Sequence, residues 1–587
     1  MRKVFFLLLL SSAFAYSAGD STFKQLTPEE LVAAVRKMTW RTHSTAAKER
    51  HNFIKCGVPV LKQLAESAPS LDADTRKQLN ELGIDTERPM AGFGRPEGLE
   101  WHYDTGIFRI HYTLKGNHAV DSTDSDIDGI PDMVELMAAT VEETYAVEIG
   151  EHGYTRPPSD RWYSDNGGSD AYDIYILDLG DLLYGFTQFE YLANLSGNNE
   201  FSEAKEEYAA TSYIVMNSNY SSFLCEEAAC VQVTFAHEFF HAIQFGYDAW
   251  DRIWFLESTA VWMEDEVYND INDHYYFLEL WMKQPHVALD YSRAPHWYGS
   301  WIFFRYLSEH LGGPATIRKM FEQSVENVTK DESDNTIYTI DQVLRRRGSS
   351  FREALNQMAV ANHLLTSDSN AGDYRYKEGD DYREYGIEPR LDRTVTLNGA
   401  GAIVEYTGNE LMHNATHYIG FTLPEGAIEM NFESFNESLR YNINGIPESG
   451  ISFSVYRARG RTIIPIPTGT DMFTVAIVTD TVKNVKYHYR LTLDTDVIIP
   501  TAITLSPNFP NPFNVTTTIR FFLPTWEEVA LSVVDLKGRE VKSVKLGEVQ
   551  AGYNEVTLEA RDLPSGPYII KLDGETEIVA RKVMLIK

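Results

Sequence analysis

Apolar and polar positions change rhythm three times along this chain. From Thr27 to about Pro96 the spacing is helical. Thr27-Pro28-Glu29-Glu30 has the form of an N-cap, a proline at the first helical position and a capping-box glutamate, and the apolar run Leu31 to Val35 follows. Leu61 to Glu66 and Thr75 to Leu82 predict further short helices. This segment, 19–98, reads as a helical cap or a pro-region. From about Leu99 the period falls to two: Phe108 to Tyr112 and Asp173 to Asp178 alternate, and Tyr213 to Met216 is a short apolar strand. Helices are then predicted over 232–245, 257–268, 274–283, 298–311, 314–326 and 351–365. A sheet followed by a helical lobe gives a multidomain α+β class, with one domain over 99–388. Beyond Glu388 short β-rich runs such as Met472 to Val478 and Tyr487 to Leu493 predict an antiparallel β-sandwich over 389–496. The Pro/Asn-rich stretch Ser506 to Phe513 falls in an expected linker, 497–514, ahead of a last small β-domain over 515–587.

The helix over 232–245 carries the clearest chemistry. His237-Glu238-Phe239-Phe240-His241 spells H-E-x-x-H. Spacing of four puts both imidazoles on one helix face, one turn apart. Two neutral nitrogen ligands at that separation suit Zn²⁺. Glu238 between them is placed to act as the base of a hydrolase, taking a proton from water that the metal acidifies. A third ligand is needed, and Glu257 on the next apolar helix supplies the carboxylate of a His₂Glu set. Glu264, seven residues on, shares a face with Glu257; it reads either as a carboxylate orienting a ligand histidine or as a solvated helix charge. Tyr298 or His296 is a candidate donor for a developing oxyanion, beside the plainer reading of an aromatic core corner. The pattern H-E-x-x-H-x-x-G-x-x-H fails, because residue 244 is Gln and no histidine stands at 247.

The run from Phe235 to Tyr268 resembles the gluzincin metallopeptidases. The wider stretch from Trp101 to Leu311 resembles a family of secreted bacterial metalloproteases, which pair this helix with a Trp-rich E-x-x-A-x-W-M-E-D segment and an upstream D-x-D-G-I-P-D motif. The resemblance implies a zincin-like domain with zinc on His237, His241 and Glu257, and Glu238 as general base.

The upstream motif has its own chemistry. Asp124 to Glu135 fits D-x-[DN]-x-[DN]-G-x₅-E at every position. Asp124, Asp126, Asp128 and Asp132 offer carboxylates, Ile130 its carbonyl and Glu135 a closing bidentate ligand, with Gly129 at the turn. A Ca²⁺ loop without the entry helix of an EF-hand is expected, or an acidic surface turn.

Composition narrows the setting. Met1-Arg2-Lys3, an apolar stretch to Leu10 and small-residue sites at Ala13 to Ala18 read as a signal peptide over 1–18. No other long apolar run predicts a transmembrane anchor. The net charge of −33 argues against nucleic-acid partners. Of three cysteines, Cys225 and Cys230 form a disulfide or remain thiols, and Cys56 reads as a small buried hydrophobe.

The end of the chain, from Ser506-Pro-Asn-Phe-Pro-Asn-Pro-Phe513 through Val533 to Val541 and Leu563 to Tyr568 to Lys587, resembles the type A sorting domain of the type IX secretion system. That implies an Ig-like sandwich of seven strands and the type IX machinery as partner. The expectation is a secreted zinc-dependent endopeptidase acting on protein or peptide substrates and stabilised by calcium. A surface adhesin built on a non-proteolytic metallopeptidase scaffold is the alternative.

Overall fold

The computed structural model describes residues 26–39, 54–193, 205–327, 336–397 and 401–587, less residues 89, 91, 224, 409, 423–425, 436–440, 450–451, 459–460, 467–468, 471, 480, 484, 496–501, 526, 550–551 and 576. The expected signal peptide, 1–18, lies outside them. The chain divides into two compact units. One holds residues 20–284 and 289–389; the other holds 390–587 with residues 285–288.

The first unit is mixed α/β and is built on a six-stranded sheet. Its strands are β1 (Ile54–Cys56), β4 (Trp101–Asp104), β5 (Phe108–Tyr112), β6 (Tyr172–Leu177), β7 (Leu183–Leu192) and β8 (Ala210–Asn217), in the order β1-β7-β8-β6-β5-β4. β2 (Ile84–Asp85) and β3 (Gly92–Phe93) form a separate small hairpin. β1 runs parallel to β7, with Cys56 opposite Gly185. The described part of segment 19–98 therefore contributes a strand to the sheet. Its helices α1 (Pro28–Thr39) and α2 (Val58–Ser67) bring Met38 and Leu61 against Tyr175, Phe186 and Tyr213, while α3 (Ala73–Glu81) packs Leu79 with Val35 and Leu64. Arg95 fixes its end. Buried to 5% exposure, the guanidinium reaches Glu190 through Nε and Nη2 (2.9 and 2.7 Å), Asp160 at 2.5 Å, and Asp173.

Helices α4 (Asp132–Tyr145) and α5 (Glu227–Phe245) follow β5 and β8. Phe235 and Phe239 of α5 meet the edge of Phe108, with ring centroids 5.8 and 5.3 Å apart. From Cys230 to Phe245 every α5 side chain except Gln232 is buried, the mark of a helix packed on all sides. Helix α6 (Ile253–Val267) is buried from Ile253 to Asp265 and packs on α5. Both helices begin earlier than the apolar spacing predicts, so Glu257 sits one turn inside α6 instead of opening it. After α7 (Tyr275–Met282), the helix expected over 298–311 is broken at Ser300 into α8 (His296–Gly299) and α9 (Trp301–His310). Gly299 is pressed onto α7: a Cβ there would lie 2.3 Å from Trp281 Cβ and 2.5 Å from the Phe277 carbonyl oxygen. Beyond α10 (Pro314–Glu326), helix α11 (Thr336–Arg346) was not predicted, although Ile340, Val343 and Leu344 keep helical spacing on its buried face; α12 (Phe351–Leu364) was.

In the second unit, strands between Arg393 and Asp494 form two sheets over a core that includes Phe421, Phe473, Ile477 and Tyr489. Seven strands between Thr504 and Leu585 form a three-stranded and a four-stranded sheet with a second core. The Pro/Asn-rich stretch is no tether. Thr504–Leu505 pairs with Thr516–Leu523, Leu505 and Phe513 belong to the core, and Asn508 Nδ2 donates to Thr517 Oγ1 at 2.9 Å. Its prolines disguised two core side chains as spacer.

Candidate metal centre

On α5 the rings of His237 and His241 lie one turn apart, their Nε2 atoms separated by 3.1 Å. Glu257 reaches between them from α6: one carboxylate oxygen is 3.4 Å from His237 Nε2 and the other 3.3 Å from His241 Nε2. All three side chains are buried, and neither Glu257 oxygen has a hydrogen-bond partner among the described residues.

The far nitrogens explain why the near ones face each other. His237 Nδ1 is 2.6 Å from Glu264 Oε1, and His241 Nδ1 is 2.7 Å from Gln244 Oε1. A carboxylate and an amide oxygen can only accept, so each Nδ1 carries a hydrogen, and in the neutral ring each Nε2 is left with its lone pair. Two lone pairs and a buried carboxylate thus converge on one point, an arrangement that asks for a cation. Bonds of about 2.0–2.1 Å to a tetrahedral zinc would set ligand atoms roughly 3.3–3.4 Å apart. The observed separations of 3.1, 3.3 and 3.4 Å fit that ion. The electrostatics make the same demand. Burial depresses the His237 imidazole, but Glu257 and Glu264 outweigh it and hold the ring at about 10 when a proton answers their charge. Burial raises the Glu257 carboxyl, and the two imidazoles bring it down to about 2.

Glu264 is itself supported. Its second oxygen meets Lys55 Nζ at 2.6 Å, and the same ammonium pairs with Asp273 at 2.8 Å. The Gln244 amide nitrogen, Nε2, donates to the Leu256 carbonyl and to Thr259 Oγ1, both at 2.9 Å, tying His241's support to α6. Neither Lys55 nor Gln244 was singled out from sequence as part of the site. Gln244 had a local signal, lying three residues after His241; Lys55 had none.

Glu238 points toward β7. Its Oε2 accepts from Thr187 Oγ1 at 2.8 Å, while Oε1 has no hydrogen-bond partner among the described residues. Gly185 makes this approach possible, since a Cβ there would stand 3.0 Å from Thr234 Cγ2 and 3.4 Å from Glu238 Cγ. Burial raises the Glu238 carboxyl above its ordinary range against the pull of both histidines.

Cys56 is free and buried, as expected, and its Sγ lies with His237, His241 and Glu257 in a group whose ligand atoms are all within 4.8 Å of one another. Tyr298 is buried, its ring centroid 6.4 Å from that of His237, and its phenol oxygen faces the backbone N–H of Cys56. His296 stands apart, between Trp281 and Tyr291. Cys225 and Cys230 are joined in a disulfide at the start of α5.

The second acidic loop is shaped differently. Asp124, Asp126 and Asp128 bring one oxygen each within 4.8 Å of the others. Asp124 accepts from the backbone N–H of Ile127 (2.7 Å) and Gly129 (2.9 Å), and Asp128 from that of Ile130 (2.8 Å). Gly129 takes φ +94°, which favours glycine. Asp132 turns instead to Ser125, accepting from its N–H and hydroxyl at 2.7 and 2.6 Å. Glu135 lies outside the close trio, although partial burial and the four aspartates raise its carboxyl.

Residues 508–587 match a family model described as a secretion system C-terminal sorting domain. The tail is a type IX sorting domain and addresses the chain to the cell surface or beyond. No helix among the described residues is long and apolar enough to cross a membrane. Residues 207–389 match a family of unknown function, DUF6055, which spans α5 and α6 but not Cys56. Comparison with curated proteins finds no match. Among solved structures, a Bacteroides uniformis beta-glucuronidase is similar at 10% identity over 29% of this chain and 26% of its own, with a TM-score of 0.12. A calcium-binding mutant of Bacteroides uniformis beta-glucuronidase 2 is similar at 11% identity over 29% of this chain and 26% of its own, with a TM-score of 0.11. The chain spans about a quarter of those enzymes' length, and scores this low carry no argument.

Proposed function

We propose that this exported protein is a zinc-dependent peptide hydrolase with a zincin-like catalytic unit. One observation supports the reading above the others: two buried Nε2 lone pairs and an unpartnered carboxylate converge at the spacing of a tetrahedral ion, with Glu238 beside them. His237, His241 and Glu257 would hold the metal. Zinc in such a set polarises a peptide carbonyl and lowers the pKa of water.

The chain's own residues supply the rest. Thr187 fixes one oxygen of Glu238, and the Cys56 thiol lies beside the same carboxylate, which is placed to take a proton and hand it to the departing amine. Its raised pKa suits a group that must hold that proton for part of the cycle. Glu264 and Gln244 hold both imidazoles with Nε2 inward. Tyr298 is the candidate donor to a developing oxyanion. The trio Asp124, Asp126 and Asp128 is the proposed calcium site, with the Ile130 carbonyl, Asp132 and Glu135 completing it once Asp132 leaves Ser125.

The test is metal content together with prolonged digestion of casein and of a broad peptide library. The expected result is about one zinc per chain, lost in His237→Ala, and cleavage that falls by roughly 10²–10⁴-fold in Glu238→Gln while zinc stays bound. Undiminished cleavage by Glu238→Gln, or zinc retained by His237→Ala, overturns the reading. Zinc without any cleavage turns it toward the binding-protein alternative.

A further inference from the structure

The His₂Glu reading leaves a fourth position, and Cys56 lies close to it. β1 is short, but its register is closely determined. Cys56 pairs with Gly185, the residue whose missing side chain lets β7 approach Glu238. Gly57 follows, in a place where a Cβ would stand 2.6 Å from Met38 Cε and 2.8 Å from Phe186 Cβ, so the chain has little freedom to move away from the sheet there. Val58 N–H donates to Cys56 Sγ at 3.3 Å. One residue earlier, Lys55 is buried and paired with Glu264 and Asp273. The thiol is thereby delivered to the metal centre from the opposite end of the unit's sequence. Its Sγ lies within 4.8 Å of the donor atoms of His237, His241 and Glu257. The second sign of a ligand is Glu257, fully buried with both oxygens unpartnered and aimed at the same point.

We propose that Cys56 is the fourth protein ligand of this site and that it closes the site against substrate. Four donors, two nitrogens, one oxygen and one sulfur, are the full complement of a tetrahedral ion. The bond forms as the thiol releases its proton to solvent. Opening is the reverse: the sulfur leaves, takes a proton back from solvent, and frees the position. No oxidant or reductant is involved. The same strand covers Tyr298, whose phenol oxygen faces the Cys56 N–H. Opening is a movement of the sulfur while the strand stays paired, and until it occurs the resting protein is held in a slow form. The proposal rests on the hydrolase reading for its consequence but not for its coordination chemistry.

Cobalt distinguishes the two. The chain has three cysteines, and the other two are joined in a disulfide, so a thiolate-to-cobalt charge-transfer band in the near ultraviolet can come only from Cys56. The full-length protein loaded with Co²⁺ is expected to show that band, and Cys56→Ser and Cys56→Ala to bind Co²⁺ without it. If the open form is a minor population of about 1–10%, the variants should cleave casein roughly ten- to a hundredfold faster than wild type at equal metal content. Wild type that binds Co²⁺ with no thiolate band overturns the proposal, and this result needs no variant to fold. Metal-loaded variants no faster than a wild type that does cleave casein overturn the closure. A thiolate band in wild type with no cleavage by any form leaves the ligand in place and removes the hydrolase reading instead.

Discussion

One carboxylate oxygen of Glu264 lies 2.6 Å from His237 Nδ1, and both groups are buried. That contact fixes which nitrogen of His237 faces His241 and Glu257, and Lys55 balances the charge it introduces.

Replacing Glu264 by Gln keeps the shape but removes the charge and weakens the acceptor. Zinc affinity is expected to fall roughly 10–100-fold, the usual cost of losing such a support. Competition with a chelator of known affinity measures it. An unchanged affinity would mean that the contact does not orient the ligand.

Arg95 tests whether the segment 19–98 can be dispensed with. Arg95→Met leaves Asp160, Asp173 and Glu190 buried around an apolar side chain. Breaking a buried ion pair by removing one partner costs about 3–5 kcal/mol. A matching drop in thermal stability, with new protease cleavage between α3 and β4, is the expected result. A variant as stable as wild type would show that the segment is only loosely attached.

Glu148 sets a pH dependence. It is fully buried, neither carboxylate oxygen has a hydrogen-bond partner among the described residues, and burial raises its carboxyl well above the ordinary 4.5. The folded chain therefore keeps this proton after the unfolded chain has released it. Its contribution is fully present below about 4.5 and is lost as pH rises toward the folded value. Glu148→Gln does not titrate. Its stability advantage over wild type is expected to grow by up to about 1.4 kcal/mol for each pH unit in that window. Denaturant melts of both proteins at pH 5, 6 and 7 measure it, and a constant difference would refute the assignment.

For the acidic loop, millimolar Ca²⁺ is expected to raise the melting temperature of wild type by roughly 2–8 °C. Asp124→Ala should abolish that rise without changing zinc content. A wild type indifferent to calcium would leave the loop a surface turn.

What could be read in the sequence was what local spacing encodes. His237, Glu238, His241 and Glu257 lie on two consecutive apolar helices, so their meeting needs one turn and one packing contact. Glu264 follows from Glu257 by helical period alone. Cys56 and Lys55 could not be found that way, because a three-residue strand with no periodic pattern carries them and only the β1–β7 pairing brings them near. Phe513 and Leu505 were hidden by composition: prolines and asparagines around them look like a spacer until the sandwich core claims both.

The β1–β7 pairing also has a kinetic meaning. α5 and α6 are neighbours in sequence and can gather His237, His241 and Glu257 through local contacts. β1 and β7 have α2, α3, α4 and β2 to β6 between them. Contacts of such sequence separation form slowly, since loop-closure entropy must be met before they stabilise anything. The donor set should therefore pass through an open, three-donor stage while the molecule folds, and be sealed only when its earliest-made strand docks last. Metal offered during refolding should enter faster than metal offered to the finished apo-protein. The order of assembly, and not a channel in the final fold, would then set when the ion gets in.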